Sequence, residues 1–259
     1  MQKTLIDISR RNFNIVAPLA MTGFISGCAS SQSNLTLQQP IADEKPWTGK
    51  PVFSIVDVQV NDGKAFGEYV VGHSATVAEA GGKFLAAGAR GESIEGTRKP
   101  RNIVIHQWPN AQSFFDWYNG AAYSQWKPKR YAASSADVIL VQGLIDSERS
   151  ETLSPAFTIV DIDVRDPQVF GRYVQGHMQS LSSAGGVFLA AGGRIQVIEG
   201  TWSPKRVILH RWPDEKAFRN WYKSDEYRPW RELRHSVSSA NVVLANGLSD
   251  AQKIQRKMP

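Results

Sequence analysis

Pairs of histidine, glutamate, arginine and tyrosine recur in this chain at a fixed offset of 104 residues, and their types suit moving a proton or orienting a polar ligand. His73 and His177 each fall on the apolar stripe of a helix, which turns the imidazole toward a sheet. With an ordinary pKa of about 6.5, such a ring is either a general base or a core histidine bonded to backbone or to a tyrosine. His106 and His210 share a strand face with Val104 and Trp108 and their copies, so they line a pocket or fill a barrel interior. Glu95 and Glu199 precede a glycine in a short strand. Arg90, Arg194, Arg130 and Arg234 are candidate partners for them, because a partly buried guanidinium needs an acceptor. Tyr118, Tyr123 and Trp126, with Tyr222, Tyr227 and Trp230, form aromatic clusters that are core or a wall for a flat apolar ligand.

The elements that must carry these residues follow from periodicity. Phe53–Val60 alternates as a strand. Asp62 and Asp166 are N-caps, and Pro167 suits the first helical position. The helix that follows puts Phe66, Tyr69, Val70, His73 and Val77 on one stripe and ends at Gly81-Gly82. Short strands follow at Phe84–Ala87 and Ser93–Glu95, then a strong one at Asn102–Trp108. Pro109-Asn110 turns into a helix with Phe114, Trp117 and Tyr118 on its apolar side. A shorter helix covers Trp126–Ala133, and Val138–Val141 closes the unit. The order is β-α-β-β-α-β, an α+β ferredoxin-like arrangement.

This unit is written twice. Residues 51–144 and 155–248 align without a gap, with roughly 43 of 94 positions identical, which marks a tandem duplication. Residues 145–154 are a polar linker and 249–259 a tail. A sheet covered by helices on one face needs a partner for the other. Two linked copies are therefore expected to pack sheet to sheet as a pseudo-dimer within one monomeric chain.

Residues 1–27 read as a signal peptide: Lys3, Arg10 and Arg11 precede a weakly apolar run, Phe13–Ile25, too short to span a bilayer. Ser9-Arg10-Arg11-Asn12-Phe13 resembles a twin-arginine export motif, and Ile25-Ser26-Gly27-Cys28 a lipobox. Acylation of Cys28 would anchor the chain to a membrane on the periplasmic face of a bacterial envelope. Ala29 after the cysteine favours the outer membrane, and residues 28–50 read as a tether. Across 259 residues, 30 Lys and Arg oppose 24 Asp and Glu, a scattered excess without a basic stripe, so no nucleic acid partner is expected. A 42% apolar and 21% charged composition excludes wholesale disorder, and a single cysteine excludes an intramolecular disulfide. No His or Cys pair has metal-ligand spacing, and no dinucleotide, P-loop or serine-hydrolase motif occurs, so neither metal nor cofactor is expected.

The second copy carries Gly185-Gly186-Val187-Phe188-Leu189, Glu199-Gly200-Thr201-Trp202-Ser203-Pro204-Lys205-Arg206, Trp221 to Tyr227, and Arg234. On these residues, clearest in that copy, each repeat resembles the uncharacterised domain-of-unknown-function family numbered 1330, of the dimeric α/β-barrel superfamily. The resemblance implies the fold; its superfamily includes cofactor-free oxygenases, isomerases and haem peroxidases. Where the family has a basic residue after Phe-Leu-Ala, this chain has Ala87 and Ala191. The first repeat also has Arg98, Gly120 and Ala122 where the second has Trp202, Ser224 and Glu226. The second repeat is therefore the expected site, with Tyr173, His177, Glu199, His210, Tyr227 and Arg234 around a small apolar or aromatic ligand. Tyr69, His73, Glu95, His106, Tyr123 and Arg130 are its weaker equivalents. Two functions stand: a lipid-anchored module that binds a small molecule or acts as a scaffold, and a cofactor-independent oxygenase or isomerase.

Overall fold

The Asp62 carboxylate accepts a hydrogen bond from the Ala65 amide at 3.0 Å and starts the first long helix; Asp166 does the same for the amides of Gln168 and Val169. Both helices end where Gly81 and Gly185 take positive φ, which costs other residues strain. The computed structural model describes residues 46–144 and 154–249; the leader, Cys28, most of the tether, the linker core and the tail lie outside them. Among the described residues no helix is long and apolar enough to cross a membrane.

The first repeat runs β1 (Val52–Val60), α1 (Gly63–Glu79), β2 (Lys83–Arg90), β3 (Glu92–Glu95), β4 (Asn102–Trp108), α2 (Ala111–Asn119), α3 (Ala121–Ser124), α4 (Lys127–Ala133) and β5 (Ser134–Gln142). The second runs β6 (Ala156–Val164), α5 (Pro167–Ser183), β7 (Val187–Ala191), β8 (Ile195–Glu199), β9 (Val207–Trp212), α6 (Glu215–Lys223), α7 (Arg228–Val237) and β10 (Ser238–Asn246). Two strands are longer than their periodicity indicates. β5 begins directly after α4, and β2 continues to Arg90 through two register shifts.

The sheets are antiparallel, and each borrows its edge. Their strand orders are β2-β4-β1-β5-β8 and β3-β10-β6-β9-β7, so β3 of the first repeat completes the second sheet and β8 of the second completes the first. The turn after each exchanged strand is held by the other repeat. Asp137 accepts hydrogen bonds from the Thr201 and Trp202 amides, and Asn241 from those of Thr97 and Arg98. A Cβ on Gly200 would approach Asp137 to 2.2 Å, so that turn requires glycine.

Strand alternation then sorts the side chains into two layers. Phe53, Ile55, Ile105 and Ile139 face Phe157, Ile159, Leu209 and Val243 in one buried core between the sheets. The expected sheet-to-sheet packing within one chain is observed. Ser54, His106 and Trp108 face the helices instead, and His210 lies beside Trp212 on the helix side of the second sheet, so neither strand histidine fills the core between the sheets. The Arg98/Trp202 difference is a mated pair: the Arg98 guanidinium stacks 3.9 Å from the Trp202 ring and binds Asp57 at 2.6 Å.

Candidate functional site

A cavity of about 90 Å³ opens between α1 and the first sheet. A single water needs roughly 10–15 Å³ on this measure, so the space holds a compact molecule of several heavy atoms. The sheet contributes Ser54, Val56, Val58, Val104 and His106; α1 contributes Phe66, Tyr69 and His73; and Trp117, Tyr118, Tyr123 and Arg130 close it from the other helices. Glu199 arrives from the second repeat on β8.

This cavity lies in the first repeat; Gly120, Ala122 and Arg98 are the residues that favour the second in sequence. The placements correct one expectation. Glu199 belongs with Tyr69, His73, His106, Tyr123 and Arg130, and Glu95 with Tyr173, His177, His210, Tyr227 and Arg234. The strand exchange is the cause: neither glutamate reaches the arginine of its own repeat. Of the candidate arginine partners, Arg130 takes Glu199 and Arg234 takes Glu95, while Arg90 and Arg194 are not among the partners found for either carboxylate.

The polar groups form one connected arrangement. Arg130 Nη2 donates to both Glu199 oxygens at 2.5 Å, and the Tyr118 hydroxyl donates to Oε1. Burial opposes the Arg130 charge, but Tyr123 and Glu199 outweigh it and hold the guanidinium above its ordinary range. Arg130 Nε is buried and without a partner among the described residues. Lys127 lies 3.5 Å over the Tyr118 ring, and burial lowers its pKa. Tyr69 and Tyr123 share a hydroxyl contact at 3.2 Å; burial first, then each other's proximity, pushes Tyr69 well above the ordinary phenol range.

The histidines are fixed by their own surroundings. His73 stacks on Tyr69 with centroids 4.1 Å apart, and its Nδ1 lies 3.0 Å from the Tyr69 carbonyl oxygen. A carbonyl only accepts, so Nδ1 donates, and in the neutral ring Nε2 is the acceptor nitrogen. Ser54 Oγ accepts from Trp108 Nε1 at 3.0 Å, and His106 Nδ1 lies 3.0 Å from the same oxygen. The second repeat repeats this pattern with Tyr173, His177, Thr158, His210 and Trp212. There burial holds His177 down to about 4 and His210 to about 3, so both are neutral at pH 7. Glu95 is lowered: burial acts upward, but the hydrogen bonds and charge of Arg234 prevail, with Tyr222 assisting.

Ser54, Phe84, Trp117 and Lys127 line or border the cavity but escape sequence reasoning. A signal for the site does exist in the sequence, since Ser54, Val58 and Val104 differ from Thr158, Ile162 and Ile208 across the duplication. Trp126 packs over α1 where a Cβ on Gly72 would meet its ring at 2.0 Å, so it is structural. Among the described residues no cluster of three or more His, Cys, Asp or Glu could hold a metal ion.

No curated protein matches the sequence significantly. Among solved structures the chain is similar to a protein provisionally named a monooxygenase from Lactobacillus acidophilus, at 13% identity and TM-score 0.47, covering 77% of this chain and 98% of that one. An anthrone oxidase-like protein aligns at 13% identity and TM-score 0.41, covering 80% and 98%. A variant chlorite dismutase from Candidatus Nitrospira defluvii aligns at 10% identity and TM-score 0.46, covering 80% and 96%. Likenesses this distant assign no residue a role. The model of one family, the domain of unknown function DUF1330, matches residues 51–144 and again 155–248, and the chain belongs to that family as a tandem duplication.

Proposed function

We propose that this chain is a lipid-anchored protein of the bacterial envelope that binds one small, mainly apolar or aromatic molecule in the first-repeat cavity. The observation that carries the reading is the cavity itself. Aromatic rings and valines wall it, and a buried Arg130–Glu199 pair assembled from both repeats stands at its polar end. The unsatisfied Arg130 Nε–H supplies a donor for a carbonyl or hydroxyl oxygen of the ligand, because a buried donor without a partner is costly. Apolar walls with few convergent polar groups are the usual make-up of small-molecule sites. The lipobox and twin-arginine pattern support the anchored placement.

Phenol is a suitable probe, having one flat ring and one oxygen. Titration of the full chain, followed by the methyl resonances of Val56 and Val58, should shift both. Val104→Phe, which fills the cavity, should abolish the shifts while circular dichroism shows a folded protein. Undiminished shifts in that variant would place phenol elsewhere and sink the proposal.

A second reading, cofactor-independent isomerase or oxygenase chemistry, draws support from His73, whose Nε2 is the acceptor a general base requires. Exchange of a deuteron from solvent into an enol-forming ketone, lost in His73→Gln, would separate catalysis from simple binding.

A further inference from the structure

We infer that the second repeat carries the same pocket in stoppered form, with Arg206 across its mouth, so that the chain holds one working site and one latent site for the same apolar or aromatic ligand class. This rests on the first-repeat cavity being the ligand site.

Nineteen residues line that cavity, and sixteen have an identical counterpart across the duplication, counting Glu95 for Glu199. The second repeat also keeps the ion pair, the tyrosine contact and the stacked histidine. The three differences point one way. Thr158 replaces Ser54, Ile162 replaces Val58 and Ile208 replaces Val104, and each adds one carbon to the space. A close-packed interior has no slack for such additions, so they occupy ligand volume.

The mouth differs more. Gly88 and Phe66 line the first cavity, and Gly88 is exposed and Phe66 half-buried, which sets them at its mouth. A Cβ placed on Gly88 would meet nothing within 4 Å, whereas one on Gly192 would come within 3.0 Å of Arg206 Cγ and Cδ. The Arg206 guanidinium lies 5.8 Å from the centre of the Phe170 ring, the counterpart of Phe66. Phe170 is accordingly buried, while Phe66 is half-buried. Asn102 holds the corresponding position in the first repeat, and its side chain ends well before an arginine's would. An aliphatic stem can cover apolar surface, and the Arg206 stem does so here, against Gly192 and toward Phe170.

The test uses phenol and the full chain, following the methyl groups of Val56 in the first pocket and Val160 in the second. In the wild type Val56 should titrate and Val160 should respond at least about tenfold more weakly. The fourfold variant T158S/I162V/R206N/I208V copies the first repeat and should bring the Val160 response up to that of Val56. The reverse variant S54T/V58I/N102R/V104I should silence Val56. Each introduced residue already occurs at the equivalent position of the other repeat. Arg206→Asn alone should strengthen the Val160 response without repacking the core. Equal wild-type responses would overturn the stopper and leave the first site standing. A silent Val160 in the fourfold variant would overturn the latent site. A silent Val56 in the wild type would instead remove the first-repeat site on which both depend.

Discussion

Glu199→Ala removes a carboxylate encoded in the second repeat and should unsettle the first. The structure supplies the magnitude. Arg130 is 6% exposed and Glu199 15%, so solvent screens the pair little. The substitution leaves the Arg130 guanidinium buried without its acceptor and takes one of the partners of the Tyr118 hydroxyl. Breaking a buried pair from one side costs about 3–5 kcal/mol, because the surviving charge stays desolvated. For a domain of this size that is a fall in Tm of roughly 6–20 °C. The location of the damage is the sharper expectation. Hydrogen exchange should quicken in α2 and α4, which hold Tyr118 and Arg130, and much less in α6 and α7. Adding Arg130→Met should recover most of the loss, since an apolar replacement removes the orphaned charge. A loss below about 1 kcal/mol, the range of an exposed pair, would refute the reasoning. So would deprotection confined to the second repeat.

Acid should destabilise the chain. His177 and His210 are held to about 4 and about 3, chiefly by burial, so the unfolded imidazoles take up protons first as pH falls from about 6.5. His177 alone should subtract about 3 kcal/mol by pH 4, with His210 adding to it; urea midpoints across that range should fall, less steeply in His177→Gln, and a flat profile would contradict the burial account. Residues 155–248 made alone lack β3 to cover β10 and Glu95 to meet Arg234, so light scattering should find dimers or aggregates; a stable monomer would count against the exchange. Fatty-acid label should reach the wild-type chain but not Cys28→Ser, and label on the variant would refute the lipobox.

Much of the fold is legible in the amino-acid sequence. The α1 stripe sets His73 and Tyr69 against the sheet because helical spacing of three and four is unambiguous over a long helix. Asp62 and Asp166 announce their helices because a cap is a local event. The fate of Glu95 and Glu199 is not legible. Four or five strand residues encode which face is buried but not whose edge they join. Taking Arg98 for decay fails for a related reason: its partner, Trp202, is the same position in the other copy, and stacking between them is invisible to an alignment that treats each repeat alone.

The exchange of β3 and β8 also imposes a timetable on synthesis. When Leu144 leaves the ribosome the first repeat is complete in sequence but lacks its fifth strand, and Glu199 is about 55 residues away. At roughly 5–20 residues per second that is an interval of about 3–11 s. During it Arg130 has no counter-ion, β5 has an open edge, and β3 has no sheet to join. Unpaired edges recruit other strands. The nascent first half is thus most exposed to chaperones, and to pairing with a neighbouring chain on the same messenger, in the seconds before its own second half arrives.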